Sequence, residues 1–370
     1  MLSRRSFLLG SVATAALLPP AGRAAAAIVS RTKQMAAGLS APIEIIDDPY
    51  GVPHIRAGSI PDAFFGQGYV VARDRLFQID LSHRRELGRL AEAFGPEFGR
   101  HDAAARLFLF RGDLDAELAR IPETILACAR AYVAGINARI EEVMADPALL
   151  PLEYGILGVA PLRWELRNMV MARGAGFGSV GDEIRRARLA GMGLLELDAI
   201  MAPLRPAWEL RVPEGLDAAA VSEADLGVLR LGGLPFGALV PAPEPSPVND
   251  HEAGSNAWTI GPQRSATGRP ILANDPHLGI GGFGPRHVAH LSAPGLDVIG
   301  GGAPGLPGIM QGHTDRFAFG RTNFHIDQDD LFILELHPED PELYRHGESW
   351  RRFERVEVSI PVKDAPPHAA

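Results

Sequence analysis

Residues 234–254 hold five prolines, few aromatics and several acids. The stretch has neither the 3.6-residue period of a helix nor the alternation of a strand, so it reads as an exposed linker. It divides the chain into two textures. Before it the patterning is mostly helical; over residues 255–370 short β-like runs separated by glycine and proline dominate. The expected fold class is therefore α+β, with a mainly helical region ahead of a mainly β region. With 370 residues and 46% hydrophobic composition, the chain can bury a sizeable core without staples. Its single cysteine, Cys128, rules out an intrachain disulfide and a multi-cysteine zinc site. A net charge of -9 argues against a nucleic-acid binder that lives on phosphate contacts.

Residues 1–27 read as an address. Ser3-Arg4-Arg5-Ser6-Phe7-Leu8 places paired arginines before an uncharged apolar run that is short for a bilayer span. Pro19-Pro20 breaks the run, and Ala24 to Ala27 offer small-residue cleavage positions. Paired arginines favour the twin-arginine route, so the expected location is periplasmic or secreted, with no membrane attachment once the signal is removed. Left uncleaved, the segment would serve as an anchor, and the product would be a membrane-held binding protein.

Residues 43–46 alternate like a strand, Asp47 to Gly51 turn it, and residues 52–55 extend again. Residues 62–94 are predicted helical, as are residues 185–201. The clearest amphipathic helix covers residues 123–144, where Ile125, Ala129, Tyr132, Val133, Ile136, Ile140 and Val143 share a face and Cys128 borders it as a small hydrophobe. Strands are expected at 257–260, 270–273, 297–299, 317–319 and 331–336.

At the junction, Gly254-Ser255 sits where the linker meets the first of these strands. A turn serine is the ordinary explanation. The alternative is a self-cleaving bond: once it is cut, Ser255 becomes an N-terminus whose own α-amine, with a pKa of ~8, can serve as base for its hydroxyl. Glycine ahead of the serine permits the backbone conformation such a cut needs. Asp327, Asp329 and Asp330 cluster in a short segment. They read either as a solvated turn or as an oxygen-rich site suited to calcium, although they fail the EF-hand spacing. Gly279 to Gly284 fit G-x-G-x-x-G by count, but no strand–turn–helix surrounds them. His277, His287, His290, His313 and His325 show no zinc-protease spacing.

From about residue 43 onward the chain resembles the penicillin acylase family of N-terminal-nucleophile amidohydrolases. The resemblance rests on Asp48-Pro49-Tyr50-Gly51-Val52-Pro53-His54-Ile55, Ala72-Arg73-Asp74-Arg75-Leu76-Phe77-Gln78 and Arg84-Arg85-Glu86-Leu87-Gly88-Arg89-Leu90. It continues through Gly254-Ser255-Asn256-Ala257-Trp258, Gly268 to His277, Pro304-Gly305-Leu306-Pro307-Gly308 and Thr322-Asn323 with Asp327 to Leu331. The order and spacing of these stretches together are specific.

The resemblance implies an αββα sandwich, incomplete in this chain, and four segments: an export signal (1–27), an α-chain region (28–233), a spacer (234–254) and the first part of a β chain (255–370). It implies a zymogen that cuts between Gly254 and Ser255 and becomes an α/β heterodimer. Ser255 would be the nucleophile, His277 a neighbour that orients the new amine, and Asn323 the backbone oxyanion donor. Calcium would be structural, held by Glu183, Asp327, Asp330 and the Asp329 carbonyl, and no organic cofactor is implied. The substrate would be a small linear amide, such as a β-lactam side chain or an N-acyl-homoserine lactone, and the resemblance implies a place in antibiotic metabolism. Family precursors are longer, and their second oxyanion donor has no counterpart here. The other reading is therefore a truncated non-catalytic fragment, or one half of a split acylase that needs a separate C-terminal partner.

Overall fold

The computed structural model describes residues 30–172, 180–201, 211–212, 215, 217, 227–228, 231–232, 255–278, 284–322, 332–364 and 368–369. The segments that the sequence reads as a signal (1–27) and a spacer (234–254) lie outside them. The fold is α+β, in two compact units that interleave along the chain: Met1–Leu87, Phe110–Ala172 and Pro235–Asn323 in one, Gly88–Leu109, Arg173–Leu234 and Phe324–Ala370 in the other. Among the described residues no helix is long and apolar enough to cross a membrane.

In the first unit, β1 (Ser30–Gln34), β2 (Ile43–Asp47) and β3 (Pro53–Arg56) form an antiparallel meander. After the spacer, β4 (Ser255–Ile260) and β5 (Ile271–Pro276) pair with each other in a separate hairpin. Then β6 (His287–Ala293), β7 (Leu296–Gly302), β8 (Gln311–His313) and β9 (Ala318–Phe319) follow. The main sheet runs β1-β2-β3-β6-β7-β8-β9. Its β3–β6 pair is parallel, with His54 opposite His290, and so it joins strands from either side of the spacer.

Helix α1 (Ile60–Glu86) crosses that sheet. Ser59 caps it by accepting from the Asp62 N–H at 3.2 Å, Pro61 enters its first turn, and His83, Arg84 and Arg85 sit in its last. It is apolar on two sides. Ala63, Phe65, Tyr69 and Val70 pack with Ile43, Ile45, Ile55, Leu291 and Val298 of the sheet. Val71, Ala72, Leu76 and Ile79 pack with Tyr132, Val133, Ile136, Ile140 and Val143 of α2 (Glu123–Ala145). A helix apolar all round is one with cover on both faces. The backbones of α1 and α2 touch: a Cβ on Gly68 would lie 2.0 Å from the Tyr132 carbonyl oxygen, and one on Gly135 2.0 Å from that of Phe65. Beneath the crossing, the buried Tyr132 hydroxyl donates to the Pro304 carbonyl at 2.7 Å, and Asp80 pairs with Arg84 at 3.1 Å.

In the second unit, the short helices Ala91–Phe94 and Gly99–Leu107 are joined by Asp102, whose fully buried carboxylate accepts from the Leu90 and Ala91 N–H groups at 3.0 and 2.6 Å. Helices α3 (Val180–Gly191) and α4 (Leu195–Met201) are tied by the buried Asp198, which accepts from Arg185 and Arg186 at 2.9 and 3.1 Å. Hairpin β10–β11 (Leu343–His346 and Ser349–Arg352) and the short pair β12–β13 (Ser359–Ile360 and His368–Ala369) complete it.

Four expectations change. The helix predicted over 62–94 ends at Glu86, because Gly88 takes φ +61 and passes close to the Asp102 carbonyl. The helix predicted over 185–201 starts at Val180 and breaks around Gly193, at φ +72. On α2, Ile125 is 59% exposed and Leu126 turns inward in its place. The strand predicted over 331–336 does not form within 332–336. That stretch makes a single bridge, Leu336 to Tyr344, and Phe332 is 80% exposed, with no covered face for the run to alternate against.

Candidate active site

β4 starts at Ser255, and its register places Ser255 opposite Pro276, with His277 one residue further on. The predicted nucleophile and the predicted orienting histidine are thereby brought to the same open end of the hairpin. Ser255 is half-buried. The Asn256 amide lies 3.1 Å from His277 Nε2, and the Asp275 carboxylate lies 3.3 Å from the same nitrogen. With its proton on Nδ1 the ring accepts there from Asn256; with a proton on Nε2 it donates to Asp275.

Asn274, opposite Ala257 in the ladder, knits this end together. Its amide nitrogen donates to the carbonyls of Asn256 and Arg321, each at 3.0 Å, and its oxygen accepts from the Arg321 N–H at 3.1 Å. Gly320 makes room for it, since a Cβ there would stand 2.6 Å from the Asn274 oxygen. The result is a backbone segment at 320–322 clamped to the strand that carries Ser255. Asn323 is the next residue along. Asn256 and Asn274 both lie in stretches that carry the family resemblance, but sequence reasoning gave neither a role. The signal present was a polar residue, Asn274, continuing the apolar run Ile271-Leu272-Ala273 inside a strand.

Glu183, the predicted α-chain calcium ligand, lies in the first turn of α3 and pairs with Arg186 at 2.7 Å. Gly254, Asn323, Asp327, Asp329 and Asp330 lie outside the described residues. Within those residues no group of three or more His, Cys, Asp or Glu side chains is placed to hold a metal ion.

The α+β fold and the polar hairpin end at Ser255 and His277 describe a site without fixing its class. The comparison with known proteins narrows it. Residues 42–370 match the family described as penicillin amidase, and the chain belongs to that family. It is 36% identical over 344 residues to penicillin acylase 2 proenzyme of Pseudomonas sp. (strain SE83), covering 87% of this chain and 42% of the relative. It is 27% identical over 373 residues to penicillin G acylase of Escherichia coli, covering 88% and 44%. It is 28% identical over 328 residues to acyl-homoserine lactone acylase QuiP of Pseudomonas aeruginosa, covering 83% and 36%. Among solved structures, the thermostable penicillin G acylase from Alcaligenes faecalis matches with a TM-score of 0.38 and 27% identity, over 47% of this chain and 96% of that one. The chain thus spans less than half the length of these curated relatives.

Proposed function

We propose that this chain carries the nucleophile segment of an exported amidohydrolase precursor that cuts itself before Ser255. The observation that carries the reading is the hairpin end, where Ser255, His277 and the Asn274 clamp meet. In this reading the freed α-amine takes the Ser255 hydroxyl proton as Oγ attacks the amide carbonyl. The Asn323 N–H holds the oxyanion, the amine leaves with the proton, and water then releases the acid from the acyl-enzyme. The substrate is a small linear amide of the kind its relatives' names describe.

A second feature bears on what the chain needs. Within the described residues the β4–β5 sheet has two strands, and Trp258 and Ile271 on it are 53% and 46% exposed. An uncovered apolar hairpin favours turnover in company with a further C-terminal segment, which would complete the αββα sandwich.

Intact-mass measurement with N-terminal sequencing tests the proposal. The expected result is a new N-terminus reading Ser-Asn-Ala-Trp, absent in Ser255→Ala. A single uncut chain, both alone and with a C-terminal segment supplied, would leave only the non-catalytic reading.

Calcium belongs to the same reading, with Asp327, Asp329 and Asp330 as its oxygen donors and Glu183 as the fourth. Glu183 fits only if its arginine partner yields, and Arg186 already has Asp198 as an alternative. Calcium at about a hundred times its Kd is expected to stabilise the fold by ~2.7 kcal/mol. Differential scanning calorimetry with and without EDTA checks this, and a melting temperature indifferent to both would remove the ion from the proposal.

A further inference from the structure

Midway along the apolar stretch Phe64 to Ala72 of α1 stands one amide, Gln67, and it is 2% exposed. Burying an amide is costly unless its polar atoms are bonded. Those of Gln67 are bonded to a single residue. Its Nε2 donates to the Gly308 carbonyl at 2.9 Å, and its Oε1 accepts from the Gly308 N–H at 2.8 Å. The side chain does for Gly308 what a neighbouring strand would do, and holds its backbone by donor and acceptor at once. Gly308 itself takes φ +100, a conformation that favours glycine.

Gly308 stands at the entrance to β8. It packs on the end of β7, where a Cβ on Gly302 would lie 2.4 Å from its carbonyl oxygen. Two residues on, the Met310 N–H donates to the Gly301 carbonyl at 2.9 Å, and Gln311 then pairs with Gly301. The register of β8 is set at this point, and it has little slack. A Cβ on Gly300 would fall 2.1 Å from the Gln311 carbonyl oxygen, and one on Gly312 2.2 Å from that of Ile299. β9 takes its place from β8, with Gly312 opposite Phe319. Continuing that register by one residue sets Gly320 beside Gln311. From Gly302 to the 320–322 segment is therefore two strand spacings, about 10 Å. The segment is held from two directions: by Asn274 of the β4–β5 hairpin, and by β8, whose entrance Gln67 fixes. β9, with two residues, adds little stiffness of its own.

We propose that Gln67 is a positioning residue for the acylase reaction: from the interior of α1 it sets the register of β8 and, through β8 and β9, the place of the 320–322 segment. The inference rests on the Ser255 reading, in which that segment leads into the oxyanion donor at Asn323. Gln67 lies on the α side of the proposed cut and Gly308 on the β side, so the same two bonds join the chains that the cut would leave. A misplacement of about 1 Å at a reacting centre is enough to cost on the order of 10²-fold in rate.

The test is steady-state hydrolysis of chromogenic N-acyl anilides by the full chain with its C-terminal segment supplied, with urea denaturation of each variant alongside. Gln67→Met fills similar space without the hydrogen bonds and should lower kcat by on the order of 10²-fold, with KM little changed. Gln67→Glu gives the sharper readout. Its carboxylate accepts from the Gly308 N–H but meets the Gly308 carbonyl with no hydrogen; once protonated it makes both bonds again. The ratio of its kcat to the wild-type value at the same pH should therefore rise toward one as the pH falls through the pKa of this carboxyl, which burial raises above ~4.3. Ile79→Val, in the α1–α2 packing, is the control for lost stability: it should lower the urea midpoint and leave kcat unchanged. Should Gln67→Met fail to fold, Gln67→Glu at low pH keeps both bonds and carries the test. With an active wild type, an unchanged kcat in Gln67→Met or a Gln67→Glu ratio that does not vary with pH would overturn the proposal alone. A wild-type chain that stays uncut before Ser255 would overturn the Ser255 reading and this inference with it.

Discussion

Gly68→Ala is expected to destabilise the first compact unit, although alanine is the better helix former by about 1 kcal/mol. The sign turns on what the new methyl meets. At Gly68 it meets the Tyr132 carbonyl oxygen at 2.0 Å, and at Gly135 it meets the Phe65 carbonyl oxygen at 2.0 Å and the Tyr69 nitrogen at 2.8 Å. These are backbone atoms of the facing helix, so no rotamer change relieves the overlap and α1 and α2 must part. Separation thins the packing of Val71, Ile79, Tyr132 and Ile136 along the whole crossing. Overpacking of this kind costs typically 1–3 kcal/mol and sometimes more. Two such changes, about 2–6 kcal/mol if they add, reach the lower part of the ~5–15 kcal/mol that holds an ordinary domain. Gly68→Ala/Gly135→Ala is therefore expected to have a markedly lower urea midpoint than either single change, and a valine at either position to be worse than the alanine. Gly155, in the helix Leu152–Leu157, is the internal control, since a Cβ there meets nothing within 4 Å. Urea denaturation of Gly155→Ala should show an unchanged or higher midpoint. Equal midpoints for Gly68→Ala and Gly155→Ala would refute the close-crossing argument.

The second large effect is expected at Asn274. Its side chain bridges the Asn256 carbonyl to both the carbonyl and the N–H of Arg321. If Asn323 presents the oxyanion donor, the clamp sets where that donor points. Its loss should lower kcat by on the order of 10²–10³, the range seen when one oxyanion donor is removed. KM should change little, because an oxyanion donor acts in the transition state rather than in substrate binding. Asn274→Asp keeps the acceptor for the Arg321 N–H and loses both donations, so an intermediate rate is expected. The assay is hydrolysis of a series of chromogenic N-acyl anilides, by the chain alone or with its C-terminal segment supplied. An Asn274→Ala enzyme with unchanged kcat would show that the 320–322 segment is held by other means.

How much of this could be read in advance depends on the range of the interaction. Helix α2 was legible because its buried residues recur every three to four positions; only the first turn misled, where Ile125 and Leu126 exchange roles. The end of α1 was hidden, because Gly88 acts through a contact with Asp102. Strand β6 went unseen for another reason. His287-Val288-Ala289-His290 carries two histidines, and its alternation only makes sense beside β3, which local patterning does not bring to it. At the site, Ser255 and His277 stood out through the motifs that surround them. Asn274 lies within one of those motifs and drew no role, because its partners are the backbones of Asn256 and Arg321 rather than any patterned side chain.

The parallel joint between β3 and β6 also sets a schedule. The residues that meet there are 236 apart, so the nascent chain presents β3 as a bare strand edge until that length has been synthesised. At elongation rates of about 5–20 residues per second the wait is roughly 10–50 s, far longer than the microseconds a hairpin such as β2–β3 needs to form. During that interval Ile45 and Ile55 have only α1 for cover, and the free edge invites pairing with another polypeptide. Yield in a cell should then follow how well trigger-type chaperones shield that edge during translation, and slow-codon variants placed between residues 60 and 280 should depress it.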